Sequence, residues 1–249
     1  MQTIKTLLFV LITSIFLSCS NLDTRPGKKN PKVSKWYFDQ YIKLSKEIIY
    51  QNKNFKKVPT KYSKYLKSLL SKNISLDKVL KKTKFYIYKS SEPFFCSLPS
   101  GIVILSTALI NNYVIEESKL LSVLLFESIK IKYHLYKKIE FMPSGLFDLR
   151  DIIRINQISL KTIIGIDRMI FNNLNKTNVD PGVLLRWIQL KNKNVLHFSF
   201  MYPKMNIPFK EEYYYKLLLV KEKRFTDKNN SLKNSSKDFY RFSNWTKRL

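Results

Sequence analysis

Histidine is nearly missing: His134 and His197 are the only two in 249 residues. That scarcity restricts histidine-based metal binding and acid–base catalysis from the outset. Cysteine is as rare, with Cys19 and Cys96 alone, which excludes a disulfide-stapled scaffold and a cysteine-rich zinc module. Five glycines and nine prolines exclude collagen-like and Gly-rich low-complexity chains. Acidic residues number 18 against 45 basic ones, a net charge of +27. Only eight of those 45 are arginine, the side chain suited to bidentate phosphate recognition. The charge is lysine spread over all segments, and a nucleic-acid partner is not expected from it. What the chain does have is apolar matter, 45% hydrophobic and 14% aromatic, enough for one domain with a real core.

Lys5 precedes an apolar run from Leu7 to Leu17, interrupted by Thr13 and Ser14. The run is shorter than the roughly 20 residues of a bilayer-spanning helix. Its charge and length are those of a secretory h-region. Phe16-Leu17-Ser18-Cys19 resembles the lipobox of bacterial lipoproteins, in which a cysteine after a small residue is acylated and becomes the new N-terminus. Ser18 and Cys19 fit that pattern, while Phe16 stands where Leu or Val is usual. The resemblance implies a signal peptide over residues 1–18 and a lipid anchor on Cys19, the chain's link to a membrane. Each acyl CH₂ buried contributes about 0.8 kcal/mol to such tethering. It places the chain in the bacterial cell envelope, on the outer membrane facing the periplasm in a two-membrane host, because Ser20 rather than Asp follows the cysteine. Residues 19–35 read as a polar tether with a turn at Arg25-Pro26-Gly27. Cys96, between Phe95 and Ser97, reads as a small core residue rather than a nucleophile.

Residues 36–222 read as helices around a short sheet. A broad apolar stripe predicts a helix over Trp36 to Tyr50, and Tyr62, Tyr65, Leu66, Leu69 and Leu70 form a second helical face. Lys84 to Tyr88 and Gly101 to Thr107 are strand-like. Glu116 to Tyr136 predicts a long apolar helix with acidic residues at its start. A further helix is expected from Leu149 to Leu174, and another from Asp180-Pro181 to Leu190, with Asp180 as N-cap. Residues 223–249 hold eight basic and two acidic residues, a net of +6, and read as a basic, mobile tail. Phe239, Tyr240, Phe242 and Trp245 give that tail a means of docking.

The order of these elements resembles the zinc metallopeptidases that include the CAAX-prenyl endopeptidases, the HtpX-type heat-shock proteases and their periplasmic relatives. Phe94-Phe95-Cys96-Ser97-Leu98-Pro99-Ser100-Gly101 followed by Ile102 to Leu109 is similar to the family's N-A-F-A-L-P-G-G and following strand. Leu120, Val123, Leu124 and Glu127 match the family's E-L-x-x-V-L-A-H-E-x-x-H, with Phe126 and Lys130 in place of its histidines. Gly165-Ile166-Asp167-Arg168 resembles its E-A-D-R, with Gly165 in place of the third ligand. The late His-Pro falls on Tyr202-Pro203. The resemblance covers roughly residues 75–220 and implies an α+β, mainly helical zincin-like metallopeptidase fold with a small β-sheet.

The zinc chemistry does not carry over with the order. Two histidines at i and i+4 share one helix face and hold the ion while the glutamate activates water. Phe126 has no donor atom, Lys130 is a cation at neutral pH, and Gly165 has no side chain. Zinc is therefore expected to be absent, and the residues Phe126, Glu127, Lys130, Gly165, Asp167 and Arg168 are remnants of a motif. Glu127 is expected to pair with Lys130 at i+3, and Asp167-Arg168 to brace helices. The function expected is a catalytically degenerate, lipid-anchored metallopeptidase-like protein that binds a peptide or protein. The Gly101–Thr107 strand resembles the position where such peptidases pair substrate by strand addition, a backbone capacity that needs no zinc. Two alternatives stay open: an active zinc endopeptidase with atypical ligands, and a polyanion-binding envelope lipoprotein that uses the lysine surface and tail.

Overall fold

The computed structural model describes residues 35–72, 81–136, 148–177, 179–202, 204–222 and 235–249. The stretch expected to be a signal peptide, Cys19 and nearly all of the expected tether lie outside the described residues, as do 223–234. The fold is α+β, mostly helical with one four-stranded sheet.

The elements run α1 (Lys35–Gln51), β1 (Phe55–Lys57), α2 (Thr60–Ser71), β2 (Lys84–Tyr88), β3 (Phe95–Leu98) and β4 (Ile102–Ser106). A π-helical turn (Leu109–Tyr113) leads to α3 (Glu117–Tyr133), α4 (Leu149–Asn156), α5 (Leu160–Lys176) and α6 (Gly182–Lys193). A 3₁₀ turn (Ser199–Met201), α7 (Ile207–Lys221) and α8 (Lys237–Thr246) complete the chain. The sheet order is β1-β2-β4-β3, with β2 and β4 parallel and both outer pairs antiparallel. The expected strand at 101–107 is therefore β4, paired along both edges. It has no free edge for an added peptide strand, and that expectation is corrected here. Strands β1 and β3 are the edges instead.

Strand alternation sorts two cores. Phe85, Ile87, Val103 and Leu105 point to the side on which α3 lies, while Tyr86, Ile102 and Ile104 join Tyr41 and Ile49 of α1 and Ile152, Ile153 and Ile155 of α4. A sheet covered on both faces needs strands apolar on both faces, and every residue of β4 is buried. Helix α3 is apolar all round, with Leu120, Leu121, Val123, Leu124, Leu125, Ile129 and Ile131 buried, as a central helix must be. It stops at His134, which takes the left-handed conformation (φ 51°) while Leu135 N–H donates to the Lys130 carbonyl at 3.0 Å.

The single helix expected over 149–174 is two. Asp148 and Asp151 form a reciprocal capping box that starts α4, and Gln157 leaves the helix at ψ 111°. Ser159 then accepts from Thr162 N–H and starts α5. The cap of α6 shifts by one residue: Pro181 is the N-cap, and the Asp180 carboxylate accepts from Gly182 N–H at 2.8 Å.

Residues 235–249, within the stretch read as a tail, form α8 and its flanks. Phe239 and Phe242 are buried in the core of α3, and Tyr62 of α2 lies 6.0 Å from the Phe242 ring and 5.4 Å from Trp245. Glu117 holds this arrangement. Its carboxylate accepts from Ser236 N–H (2.9 Å), Ser236 O–H (2.8 Å) and Tyr65 O–H (2.7 Å), while its own N–H donates to Ser235 Oγ (3.0 Å). One residue thus ties α2, α3 and α8 together. Hydrogen bonds to charged groups contribute about 1.5–3 kcal/mol each, with incomplete additivity. Glu117→Ala is expected to lower unfolding free energy by about 2–4 kcal/mol in urea melts and to make residues 235–249 the first segment cut by protease.

Candidate functional site

Helix α3 carries Phe126, Glu127 and Lys130 on neighbouring positions of one face, since residues three and four apart lie side by side. Lys130 and Glu127 are 2% and 1% exposed. The Lys130 ammonium sits 3.1 Å from Glu127 Oε2 and 3.3 Å from Oε1, and donates to Asn156 Oδ1 at 2.8 Å. Asn156 is oriented in turn by donating from Nδ2 to the Ile152 carbonyl at 2.9 Å. The Phe126 and Tyr136 rings lie 5.9 and 5.7 Å from the same ammonium, within range of a cation–π contact. The i,i+3 pair expected between Glu127 and Lys130 is present.

A second pair meets the first from the opposite helices. Lys191 of α6 donates to Glu211 Oε1 of α7 at 2.7 Å, the two side chains being 4% and 1% exposed. Its ammonium lies 6.0 Å from the Trp187 ring and 5.7 Å from the Tyr202 ring. Burial works against the Lys191 charge, but Glu211, Tyr202 and Asp167 outweigh it and hold the ammonium above its usual range. Asp167 of α5 is buried, and among the described residues neither of its carboxylate oxygens has a hydrogen-bond partner. Burial, then the Glu211 charge, push its carboxyl well above the usual range against the pull of Lys191. With one ammonium and two carboxyls enclosed together, a proton on Asp167 avoids an uncompensated buried negative charge.

Both pairs line one cavity of about 30 Å³, together with Phe95, Phe126, Ile163 and Tyr202. At about 10–15 Å³ per enclosed water, that is room for two waters. It is far below the roughly 300–1,000 Å³ of a ligand pocket. The space where the resemblance puts a metal site is filled core. Two of its three substituted ligand positions are brought there: Phe126 as a wall and Lys130 as a cation. Gly165 is buried in α5 without lining the cavity, and Arg168 of the same helix is exposed. Tyr202 does line it. Pro203 lies outside the described residues. Each carboxylate facing this cavity, Glu127 and Glu211, already holds an ammonium within 3.3 Å. Among the described residues no three His, Cys, Asp or Glu side chains converge to hold a metal ion. The donor set therefore does not fit zinc: a divalent cation would have to displace two paired ammonium groups.

No protein-family model matches the chain, and no curated protein matches it.

An open concavity lies elsewhere among the described residues. A cleft of about 690 Å³ is lined by Glu92, Asn112, Tyr113, Arg150, Arg154 and His197, among others. Arg150 and Arg154 are four residues apart on α4 and exposed on one face. Arg154 also pairs with Asp151 at 2.9 Å. His197 is exposed and hydrogen-bonded through Nδ1 to the Tyr113 hydroxyl. Sequence reading passed over this cleft, although two of only eight arginines four residues apart were a signal. Lys191, Glu211 and Asn156 were also passed over, and they carried no local signal, because their partners lie on other helices. Cys96 is buried and uncombined, as a core thiol, with burial pushing its pKa up.

Removing one partner of a buried ion pair costs about 3–5 kcal/mol, whereas replacing both with apolar groups is neutral or stabilising. Lys130→Met is expected to fall in that range in urea melts, and Lys130→Met with Glu127→Leu to recover most of it. Asp167 sets a pH dependence. Its folded pKa is raised, so the folded state binds more protons than the unfolded one, and stability falls as pH rises from about 4 toward the folded value. Asp167→Asn should match the parent at pH 4 and gain on it steadily at higher pH in the same melts.

Proposed function

We propose that this chain is a lipid-anchored, non-catalytic, metallopeptidase-like protein of the bacterial cell envelope that binds a peptide or protein partner. The observation that carries the reading is the pair of lysine–glutamate bridges around a 30 Å³ cavity, one of which, Glu127–Lys130, stands at positions where the resemblance calls for a metal ligand and the water-activating glutamate. An ammonium supplies a fixed charge in such a place but has no empty orbital to polarise a carbonyl or acidify water. The zincin-like part of the reading draws support from the parallel β2–β4 pair followed by the apolar α3, which packs on α5 as well as the sheet. Support for the anchor comes from Lys5, the Leu7–Leu17 run and Ser18-Cys19.

With β4 paired on both edges, partner binding is assigned to the cleft beside α4. The guanidinium groups of Arg150 and Arg154 outnumber the one lining carboxylate, Glu92, which suits a segment bearing carboxylates. A photo-crosslinking residue at Ser199, in the cleft, should trap a discrete adduct in cells, and the same residue at Tyr50 on α1 should not. Arg150→Ala with Arg154→Ala should abolish the adduct while leaving the melting temperature near that of the parent, since both side chains are exposed. Purified protein should cleave neither casein nor peptides in the presence of zinc. Stoichiometric zinc with chelator-sensitive cleavage would overturn the non-catalytic reading, and equal crosslinking at Ser199 and Tyr50 would overturn the cleft.

A further inference from the structure

Helix α7 is apolar on two opposite faces. Its inner face buries Ile207, Glu211, Tyr215 and Leu219, and Tyr215 O–H donates to the Pro181 carbonyl at 2.9 Å. On the outer face Phe209, Tyr213, Leu217 and Val220 are 55%, 61%, 47% and 57% exposed. At about 100° per residue these four fall within an arc of about 80°. From Phe209 to Val220 the stripe runs about 16 Å at about 1.5 Å per residue. Exposed lysines border it on both sides: Lys216 on one rim, Lys210 and Lys221 on the other. No carboxylate lies between those rims. The nearest, Glu212, lies beyond Lys216, to which it is bound at 2.6 Å.

We propose that this outer face of α7 rests on an anionic lipid surface. Single exposed apolar residues need no explanation, but an ordered stripe of them on one helix does. Phe and Tyr side chains settle at the level of lipid headgroups, where a ring meets apolar chains and a hydroxyl meets water. Lysines on the rims extend their stems along the apolar face and place their ammonium groups among phosphates. A second copy fits less well. Self-pairing of this face would bring lysine rims together, and four side chains on one helix are well short of the roughly 20–30 residues a side of a stable interface. The chain's net charge of +27 favours the same anionic surface. Docking needs no rearrangement, because the inner face of α7 keeps its contacts. The inference does not depend on acylation of Cys19 or on the cleft.

The test uses the full chain with Cys19→Ser, leaving buried Cys96 as the native thiol, and an environment-sensitive dye on Leu217→Cys or, as control, on Tyr50→Cys of α1. On vesicles of phosphatidylglycerol and phosphatidylethanolamine the dye at 217 should shift to the blue and be quenched by spin-labelled acyl chains. The dye at 50 should do neither. The shift should weaken with salt, as screened surface charge requires, and should be lost with Phe209→Lys and Tyr213→Lys, which are exposed and leave the melting temperature unchanged. An equal response at 217 and 50, or an equal shift on phosphatidylcholine, would overturn the proposal. A blue shift that grows with protein concentration in the absence of vesicles would overturn it in favour of a second copy.

Discussion

Two lysines buried among helices are tolerable only because each is answered by a carboxylate, and the interior of this protein is arranged around that requirement. Lys130 is matched by Glu127 from its own helix, Lys191 by Glu211 from the next, and Asn156 completes the coordination of Lys130. Isolated charges at such depth would be expensive, whereas paired and hydrogen-bonded ones are at best close to neutral in stability. What the pairs enforce is geometry. The Lys130–Asn156 hydrogen bond ties α3 to the end of α4, and the Lys191–Glu211 pair ties α6 to α7. A core of leucine and isoleucine alone would be satisfied by several such arrangements.

The same logic operates at the other end of α3. Glu117 accepts three hydrogen bonds from α2 and the start of α8, so the central helix is held by polar contacts at its entry and by an ion pair one turn before its exit. Between them lies an apolar stretch that packs against the sheet and α5. The helix is therefore fixed in register along its axis, which apolar packing alone defines weakly. Asp167 is the exception, a carboxyl without hydrogen-bond partners among the described residues, whose pKa burial and the Glu211 charge push well above its usual range.

Much of this was legible in the sequence where the signal was local. The long, mainly apolar stretch of α3, the β-branched and aromatic runs of β2 and β4, and the i,i+3 spacing of Glu127 and Lys130 each state their own structure. The misread features were non-local or very short. Strand β1 has three residues and is defined by its partner β2, not by its own pattern. The break at 157–159 depends on a lone Ser159 cap inside an otherwise helical stretch. The pairing of β4 on both edges requires knowing that Phe95–Leu98 turns back through Gly101, which takes a left-handed φ of 81°. Of the site, Phe126, Glu127 and Lys130 were placed correctly relative to one another, while Lys191 and Glu211 were invisible because two separate helices supply them.

Helix α7 shows why one sequence pattern serves two purposes. A helix with apolar residues on every side looks like a fully buried one, and its two faces cancel in any measure of amphipathicity. Here the inner face carries Glu211 to the ion pair and Tyr215 to the Pro181 carbonyl, so its orientation is set from inside. The outer face is then presented in a defined direction at no cost to the fold, since none of its four side chains contributes to the buried core. Rigid support behind an exposed apolar stripe is what distinguishes a docking surface from poor packing: the interior has no use for those residues, and the lysines beside them select for a negatively charged surface.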